Sequence, residues 1–358
     1  MQITDLPIEG YERVVRAQDP ATGLHAIISV HDTTLGPALG GLRMWPYADE
    51  RAALFDVNRL SRGMTFKSAI ARTGLGGGKA VILGDPAKIK SEALYLGMGR
   101  FIESLHGRYI TAEDVNTDIA DLEIVRRATK WVTGLRRESG GSGNPSPYTA
   151  YGVFLGLQAA VEHKLQRKDL KGVTVAVQGV GAVGSALVAR LASAGAKVRV
   201  ADRAEQRVQA MVQAHGAVGV QESDILTQEV DVFAPCALGA VINDDTVHKL
   251  RCKVVAGAAN NVLLAPAHGK VLRDRGILYA PDYVINAGGI INVGCEFLTG
   301  GYDEKESLKR IERIPQSLRE LWQIAEREGI AANDAADRLA QSLVDAGKVG
   351  KKKSPARS

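Results

Sequence analysis

Cysteine is scarce in this 358-residue chain: Cys236, Cys252 and Cys295 are widely spaced, odd in number and form no C-x-x-C pair. That spacing supports neither a disulfide framework nor a cysteine zinc site, so a metal is not expected and a reducing cytoplasm is. Long apolar runs are missing too: none approaches the roughly 18 residues a membrane span needs. The N-terminus MQITDLPIEGYE is acidic where a secretory signal is basic and then apolar, so neither export nor membrane attachment is expected. No internal repeat recurs at a fixed period, and the 39 glycines lack the three-residue rhythm of collagen. Charge of one sign is not in great excess. The net charge is +5, and the run from Lys348 to Arg357 alone carries five basic side chains. A short basic tail of that kind is usually a solvated helix end, so no nucleic-acid partner is expected.

What is present describes an ordinary soluble globular protein, with 45% hydrophobic and 24% charged residues. The length exceeds what one hydrophobic core comfortably serves, which points to two domains. Residues 24–31 (LHAIISVH) read as a strand, followed by a glycine-rich turn, GPALGG, at 36–41. Between Arg51 and Ser68, the residues Ala53, Val57, Leu60, Met64 and Lys67 recur at helical spacing, which predicts a helix with Lys67 on its apolar face. Gly76, Gly77 and Gly78 then lead through Lys79 into a short apolar segment, Ala80 to Leu83, and the strand RYITAED ends at Asp114.

The stretch ESGGSGNPSP at 138–147 is the sharpest break in composition and marks the crossing between domains. A helix from Thr149 to Glu162 and a strand from Val173 to Gln178 open an alternation of strand and helix signals that runs to about residue 296. Such alternation predicts a parallel sheet with helices on both faces. Residues 305–328 and 334–346 read as helices, with Asn333 as the N-cap of the second and Pro315 starting or kinking the first.

Within the alternation, the strand VTVAVQ is followed by Gly179, Gly181 and Gly184 in GVGAVG, a helix, and a strand ending at Asp202. This is the G-x-G-x-x-G dinucleotide pattern in its full context. The first glycine permits the tight turn, the second lets backbone amides approach a pyrophosphate, and the third lets helix pack on strand. Asp202 lies 23 residues after Gly179, where a carboxylate accepts the adenosine ribose hydroxyls and repels a 2′-phosphate. NAD is therefore expected over NADP, although Arg203 beside it is of the type that accepts a 2′-phosphate.

Position alone leaves the polar candidates of the first third with two readings each. Lys67, at a helix end, either snorkels or holds a ligand. Lys79 is either a solvated loop lysine or a group exposed to a small ligand by the bare glycine backbone before it. Asp114 is either a helix cap or surface acid, or a working carboxylate.

The segments GPALGGLRMWPY, RLSRGMTFK, GLGGGKAVILGDP, GRYITAEDV, SGNPSPYTAYGV, APCALGAVIND, VVAGAANN and YAPDYVINAGGIINV resemble, in order from about residue 20 to 345, the amino-acid dehydrogenase family that includes the glutamate, leucine, phenylalanine and valine enzymes. The leucine enzymes are the most similar. The resemblance implies an α/β fold: an N-terminal α/β substrate and oligomerisation domain over 1–137, with a C-terminal helix, 326–358, returning to it, and a Rossmann domain over 145–325. The active site is expected in the cleft between them. The implied reaction is reversible, NAD-dependent oxidative deamination of an L-amino acid to a 2-oxo acid and ammonia by way of an imine. The implied partner is the chain itself, in a homo-oligomer larger than a dimer such as an octamer.

Carried onto this sequence, the resemblance makes Lys67 the cation for the substrate carboxylate, Lys79 the base that activates water, and Asp114 the group that moves protons at the amine. A lysine acting as base must be neutral, and desolvation with a second cation nearby favours that form; Lys67 is one such cation. Gly40 and Gly41 resemble backbone lining beside the substrate, and Leu39, Ala112, Ile290 and Val293 resemble the residues around its side chain. Thr149 resembles a contact to the nicotinamide carboxamide. Asn260 and Asn261 resemble the asparagines near nicotinamide and substrate, with the division between them open. Val180, Ala182 and Val183 in the glycine loop, together with Cys236, Ala237 and Asn286, complete the implied cofactor contacts.

All four pocket residues are aliphatic, so branched-chain substrates are expected and glutamate, whose carboxylate would lack a partner there, is not. In the phenylalanine enzymes glycine tends to stand where this chain has Ala112. A sister enzyme preferring valine, phenylalanine or tryptophan, or a non-catalytic NAD-binding homologue, stays open as an alternative. Pro315 and VGCEF at 293–297 depart from the pattern of the leucine enzymes, in regions expected to concern packing rather than chemistry.

Overall fold

The computed structural model describes residues 1–298 and 300–353, with side chains through residue 349; Arg357, at the end of the basic tail, lies outside the described residues. The chain divides into two compact units: Met1–Asn144 with Val293–Asp303 and Ala340–Ser358, and Pro145–Asn292 with Glu304–Leu339.

The first unit contains β1 (Gln2–Asp5), β2 (Arg13–Asp19), β3 (Leu24–Asp32), β4 (Ala38–Trp45), α1 (Glu50–Ile70), β5 (Gly76–Leu83), α2 (Pro86–Ile89), α3 (Glu92–Glu103), β6 (Tyr109–Glu113) and α4 (Ile119–Arg126). Its strands form a mixed sheet in the order β1-β2-β3-β5-β4-β6. β4 is parallel to both β5 and β6, while β3 runs antiparallel to β5. Alternation along the strands separates two faces. Ala38, Leu42, Met44, Ala80 and Ile82 join Leu94, Met98 and Phe101 of α3 in the larger core. On the opposite face Val81 and Ile27 pack with Ala53 and Val57 of α1.

Three expectations change here. The glycine-rich GPALGG is a turn only at its start, because Ala38 to Gly41 already belong to β4. The run Gly76–Gly78 is not bare loop but the beginning of β5, and protein atoms occupy the space that side chains would need. A Cβ on Gly77 would stand 2.0 Å from the Thr65 amide nitrogen, and one on Gly78 would stand 2.8 Å from the Tyr109 ring. The buried stripe of α1 is also rotated from the apolar spacing: it runs through Ala53, Val57, Ser61, Thr65 and Ser68, leaving Leu60, Met64 and Lys67 half-buried. Thr65 of the stripe lies against the Gly77 backbone, and the hydroxyls bond to β3, Ser61 to Ser29 at 2.9 Å and Thr65 to His31 at 2.8 Å.

The second unit begins with α5 (Ser146–Leu165) and continues through β7 (Thr174–Gln178), α6 (Ala182–Ser193), β8 (Lys197–Ala201), α7 (Glu205–His215), β9 (Val218–Gly219), β10 (Val232–Pro235), β11 (Val254–Val255), α8 (Ala267–Asp274), β12 (Leu278–Tyr279) and α9 (Asp282–Ile285). Next come α10 (Gly288–Gly294), whose last two residues fall in the first unit, α11 (Glu304–Ile311), α12 (Ile314–Glu328) and α13 (Ala332–Lys353), which continues into the first unit from Ala340. The sheet is parallel throughout, in the order β9-β8-β7-β10-β11-β12. Counted from β7, this is the doubly wound 3-2-1-4-5-6 order, whose ligand crevice lies at the carboxyl ends of β7 and β10 where the order reverses. Pro315 sits in the first turn of α12, where its missing N–H costs no helical bond. Asn333 is inside the first turn of α13 rather than at its N-cap, and its side chain lies against Gly269 and the Pro266 carbonyl. No helix among the described residues is long and apolar enough to cross a membrane.

Candidate active site

In the first unit, strand alternation places Leu39, Gly41 and Arg43 of β4 on the face that α1 covers, and Lys79 on the same face of β5. On the other side of β4, Gly41 is in register with Ala112 of β6, and Asp114 follows directly at the end of that strand. The consequence is an ion pair across three strands: Lys79 Nζ lies 2.5 Å from Asp114 Oδ2. Gly41 stands between them. A Cβ at this position would be 2.7 Å from Asp114 Cβ and 3.2 Å from Lys79 Nζ, so only glycine leaves the pair its space.

Lys79 is only 6% exposed. Burial pushes its pKa below the ordinary lysine value; Asp114 works in the opposite direction, and the Arg43 guanidinium adds to the lowering. Burial raises the Asp114 carboxyl, but Lys79 and Arg43 outweigh it and hold the group below the usual range. The site thus pairs an amine whose neutral form is favoured by burial with a carboxylate that is ionised at rest. Lys67 is in the last turn of α1, half-buried. Leu39 is fully buried and Ala112 partly exposed. Val293 lies at the end of α10, where its carbonyl accepts a bond from Thr133 at 3.1 Å.

Arg43, Asp56 and Tyr47 were not legible as site residues from sequence. Arg43 Nε donates to Asp114 Oδ2 at 3.2 Å and Nη1 to Asp56 Oδ2 at 2.9 Å, while the Tyr47 hydroxyl donates to the same Asp56 oxygen at 2.7 Å. One signal was available: Arg43 is two residues beyond Gly41 on a strand, and so shares its face.

In the second unit, the glycine loop follows β7 and opens α6. Gly179 has φ +92°, which favours glycine. A Cβ on Gly184 would stand 2.0 Å from the Gly179 carbonyl oxygen, so the third glycine closes helix onto strand. Gly181, the N-cap of α6, is different: its missing Cβ has only Arg207 Nη1 near it, at 4.0 Å, and no side chain caps the helix. An open cradle with uncapped amide donors is what a dinucleotide pyrophosphate requires, so the residues fit the cofactor. Val180 donates its N–H to Asp202 Oδ2 at 2.8 Å, and Ala204 donates to Oδ1 at 2.9 Å. Asp202 therefore braces the loop while retaining acceptor capacity. Arg203 is exposed and paired with Glu222 at 3.3 Å.

Cys236 and Ala237 follow β10 directly beside the loop: Gly179's Cβ position is 2.7 Å from Ala237 Cβ, and Gly184's is 3.4 Å from Cys236 Cβ. Burial pushes the Cys236 thiol up to about 12, so it stays protonated. Asn286, buried after α9, donates to Asn260 Oδ1 at 2.7 Å and to the Ala258 carbonyl at 3.1 Å, which orients the Asn260 amide. The carbonyl of Asn261 accepts the Ala240 N–H at 2.6 Å. Thr149 lies in the first turn of α5, its hydroxyl donating to Pro145, and Gly289 of α10 must lack a Cβ because that atom would stand 2.7 Å from the hydroxyl. Ile290 occupies the next position on α10.

Comparison with known proteins gives these features a common origin. Residues 11–131 match the Glu/Leu/Phe/Val dehydrogenase dimerisation domain, and residues 140–204 and 198–348 match the Glutamate/Leucine/Phenylalanine/Valine dehydrogenase family. The chain is 51% identical to a leucine dehydrogenase of Thermoactinomyces intermedius over 335 residues, 94% of this chain and 91% of that one. It is 48% identical to a valine dehydrogenase of Streptomyces virginiae over 335 residues, 93% of each. The crystal structure of an L-tryptophan dehydrogenase from Nostoc punctiforme superposes with a TM-score of 0.85 at 43% identity, over 95% of this chain and 97% of that one. With both units matched along nearly their whole length, the chain belongs to the glutamate, leucine, phenylalanine and valine dehydrogenase family, oxidoreductases that act on amino acids with a nicotinamide cofactor.

Proposed function

We propose that this protein is an NAD-dependent dehydrogenase of branched aliphatic L-amino acids, converting leucine, and also valine and isoleucine, reversibly to the 2-oxo acid and ammonia. The observation that carries this reading is the buried Lys79–Asp114 pair, 2.5 Å apart, with Gly41 giving it room. Similarity to a leucine and a valine dehydrogenase at 51% and 48% identity supports the substrate class. So does the aliphatic character of Leu39, Ala112, Ile290 and Val293. We assign substrate binding to the first unit and cofactor binding to the second.

In this reading Gly179 to Gly184, Asp202, Cys236, Ala237, Thr149 and Asn260 would hold NAD, which would supply the hydride acceptor for the α-hydrogen of the amino acid. The chain's own residues do the rest. Lys67 holds the substrate carboxylate as a cation. Asp114 accepts a proton from the substrate ammonium, so that the nitrogen lone pair can form the imine. Neutral Lys79 takes a proton from water as the water oxygen bonds to the imine carbon. Asp114 then returns its proton to nitrogen and, again a carboxylate, takes the hydroxyl proton of the carbinolamine as the C–N bond breaks, which releases ammonia and leaves the 2-oxo acid; Lys79 and Asp114 finally pass their protons to bulk water. Burial of Lys79 favours the neutral form that this step needs. Asp202 supports NAD over NADP, its carboxylate repelling a 2′-phosphate.

The three free cysteines fit a reducing cytoplasm. The match to a dimerisation domain supports a homo-oligomer, which we place above a dimer, up to an octamer; light scattering that returned one chain's mass at micromolar concentration would remove this.

The reaction is tested by specificity constants for leucine, valine, phenylalanine, tryptophan and glutamate with NAD and with NADP, repeated in Lys79→Ala and Ala112→Gly. Branched substrates should exceed aromatic ones by about ten- to a hundredfold, since overpacking a pocket costs about 1–3 kcal/mol. Loss of the base should lower turnover by about 10²–10⁴. Phenylalanine or tryptophan above leucine in the unaltered protein would overturn the substrate class, and near-normal turnover in Lys79→Ala would overturn the mechanism.

A further inference from the structure

Asp114 has a second partner that takes no part in the reaction above. Arg43 reaches the same Asp114 oxygen as Lys79, at 3.2 Å, and its other branch is held by Asp56 of α1 at 2.9 Å. Asp56 in turn accepts from Tyr47 at 2.7 Å and from Arg59 at 3.4 Å. We infer that Arg43 is a positioning residue: braced by Asp56 and Tyr47, it fixes the Asp114 carboxylate against Lys79 and keeps a second positive charge beside that amine.

Geometry carries the first half of this. A carboxylate paired with one flexible lysine can rotate and follow it, because the terminal torsion is soft. Arg43 approaches from a neighbouring strand and is itself anchored on a helix, so its planar fork supplies a direction that an ammonium cannot. Arg43 stays charged throughout: burial works against it, but Asp114 and Asp56 outweigh burial and push it above its ordinary value. Tyr47 is held well above the ordinary tyrosine range by burial and by Asp56, and so remains a donor.

Charge carries the second half. The groups acting on Lys79 are Asp114 at the end of β6, Arg43 on β4 and Asp56 on α1; the two anions favour its ammonium form, and Arg43 together with burial opposes it. Glu113, next to Asp114, is itself raised by burial. Burial is the main influence that lowers Lys79 against Asp114, and Arg43 adds to it, so the cation helps one site hold an ionised carboxylate beside an amine lowered from its ordinary value.

The inference rests on Lys79 acting as the base, so Lys79→Ala is measured alongside. Turnover of leucine with NAD is followed across pH in Arg43→Gln and Arg43→Lys. In Arg43→Gln, turnover should fall by about 30- to 100-fold, the usual consequence of misplacing a reacting group by about 1 Å. The acidic limb of the profile should also move to higher pH, because a cation facing the amine is gone. In Arg43→Lys the limb should stay in place while turnover recovers only partly, since an ammonium cannot span Asp114 and Asp56. An unmoved limb in Arg43→Gln overturns the inference, whatever happens to turnover. Should Arg43→Gln fail to fold, Arg43→Lys decides: full turnover overturns the inference, and reduced turnover with an unmoved limb upholds it. An active Lys79→Ala removes the proposed reaction and this inference together, whereas an inactive Lys79→Ala beside an unchanged Arg43→Gln removes this inference alone.

Discussion

Gly41→Ala adds one methyl group to the most crowded point of the catalytic pair. The new carbon would stand 2.7 Å from Asp114 Cβ, 2.9 Å from the Glu113 carbonyl oxygen and 3.2 Å from Lys79 Nζ. Carbon atoms rest at about 3.5–4.0 Å, so Asp114 must retreat by about 0.8–1.3 Å or the end of β6 must peel from β4. Either movement separates the carboxylate from the amine. We expect turnover to fall about a hundredfold from a displacement of that size, with stability lowered by about 1–3 kcal/mol through overpacking.

Two further alanines calibrate the effect. Gly63 lies on the exposed side of α1 with nothing within 4 Å of its Cβ position, so Gly63→Ala should stabilise by about 0.5–1 kcal/mol and leave turnover unchanged. Gly40→Ala would bring a Cβ to 1.7 Å from the Gly78 carbonyl oxygen, backbone of the adjacent strand, and should compromise folding itself. Urea unfolding midpoints and turnover of leucine with NAD measure both quantities. Full turnover in Gly41→Ala would refute the placement of the catalytic pair around this glycine.

Asp114→Asn removes the anion that opposes deprotonation of Lys79, so the acidic limb of the pH–rate profile should move to lower pH even as turnover falls. A limb that stayed or rose would show that Lys79 does not control it. Asp202→Ala removes the carboxylate that excludes a 2′-phosphate and leaves exposed Arg203 and Arg207 beside the site. The ratio of specificity constants for NAD over NADP should fall by about tenfold or more, and an unchanged ratio would refute Asp202 as the discriminator.

Legibility in the sequence followed the range of the interaction that decides each element. The dinucleotide loop is local: turn, helix start and acidic residue fall within the 24 positions from Gly179 to Asp202, and Gly179 and Gly184 each have a steric reason. The Lys79–Asp114 pair is not local. Thirty-five residues separate its members, and only pairing of β4 with both β5 and β6 unites them, so spacing alone left each residue two readings and the family resemblance was needed to link them. The helix α1 was foreseen, but its buried stripe was rotated. Apolar periodicity counts Leu60 and Met64, whereas the helix buries Ser61, Thr65 and Ser68 instead, with Thr65 against Gly77 and Ser61 bonded to Ser29. The Gly76–Gly78 run suggested loop for the same reason, since glycine is disfavoured in strands unless another backbone must come close. Arg43 is not legible because the turn reading of GPALGG leaves no strand to carry it, whereas β4 sets it on the same face as Gly41.

The glycines of the two units can be sorted by what their missing Cβ atoms would meet, and the sorting separates framework from site. Gly36, Gly40, Gly76, Gly77 and Gly184 would meet backbone, so they set how closely strands, helices and turns approach. Gly41 would meet two reacting side chains. Gly181 would meet almost nothing, its nearest neighbour being Arg207 at 4.0 Å, and its backbone angles of −71° and −161° are open to any residue. Gly181→Ala therefore has no folding reason to be destabilising. If the open space is a pyrophosphate cradle, the methyl should instead weaken NADH binding by tenfold or more on the order of 1–3 kcal/mol of overpacking, while the unfolding midpoint stays unchanged. Titration of NADH fluorescence against Gly181→Ala separates the two costs. Undiminished affinity would place the pyrophosphate elsewhere, and with it the cofactor assignment of the whole loop.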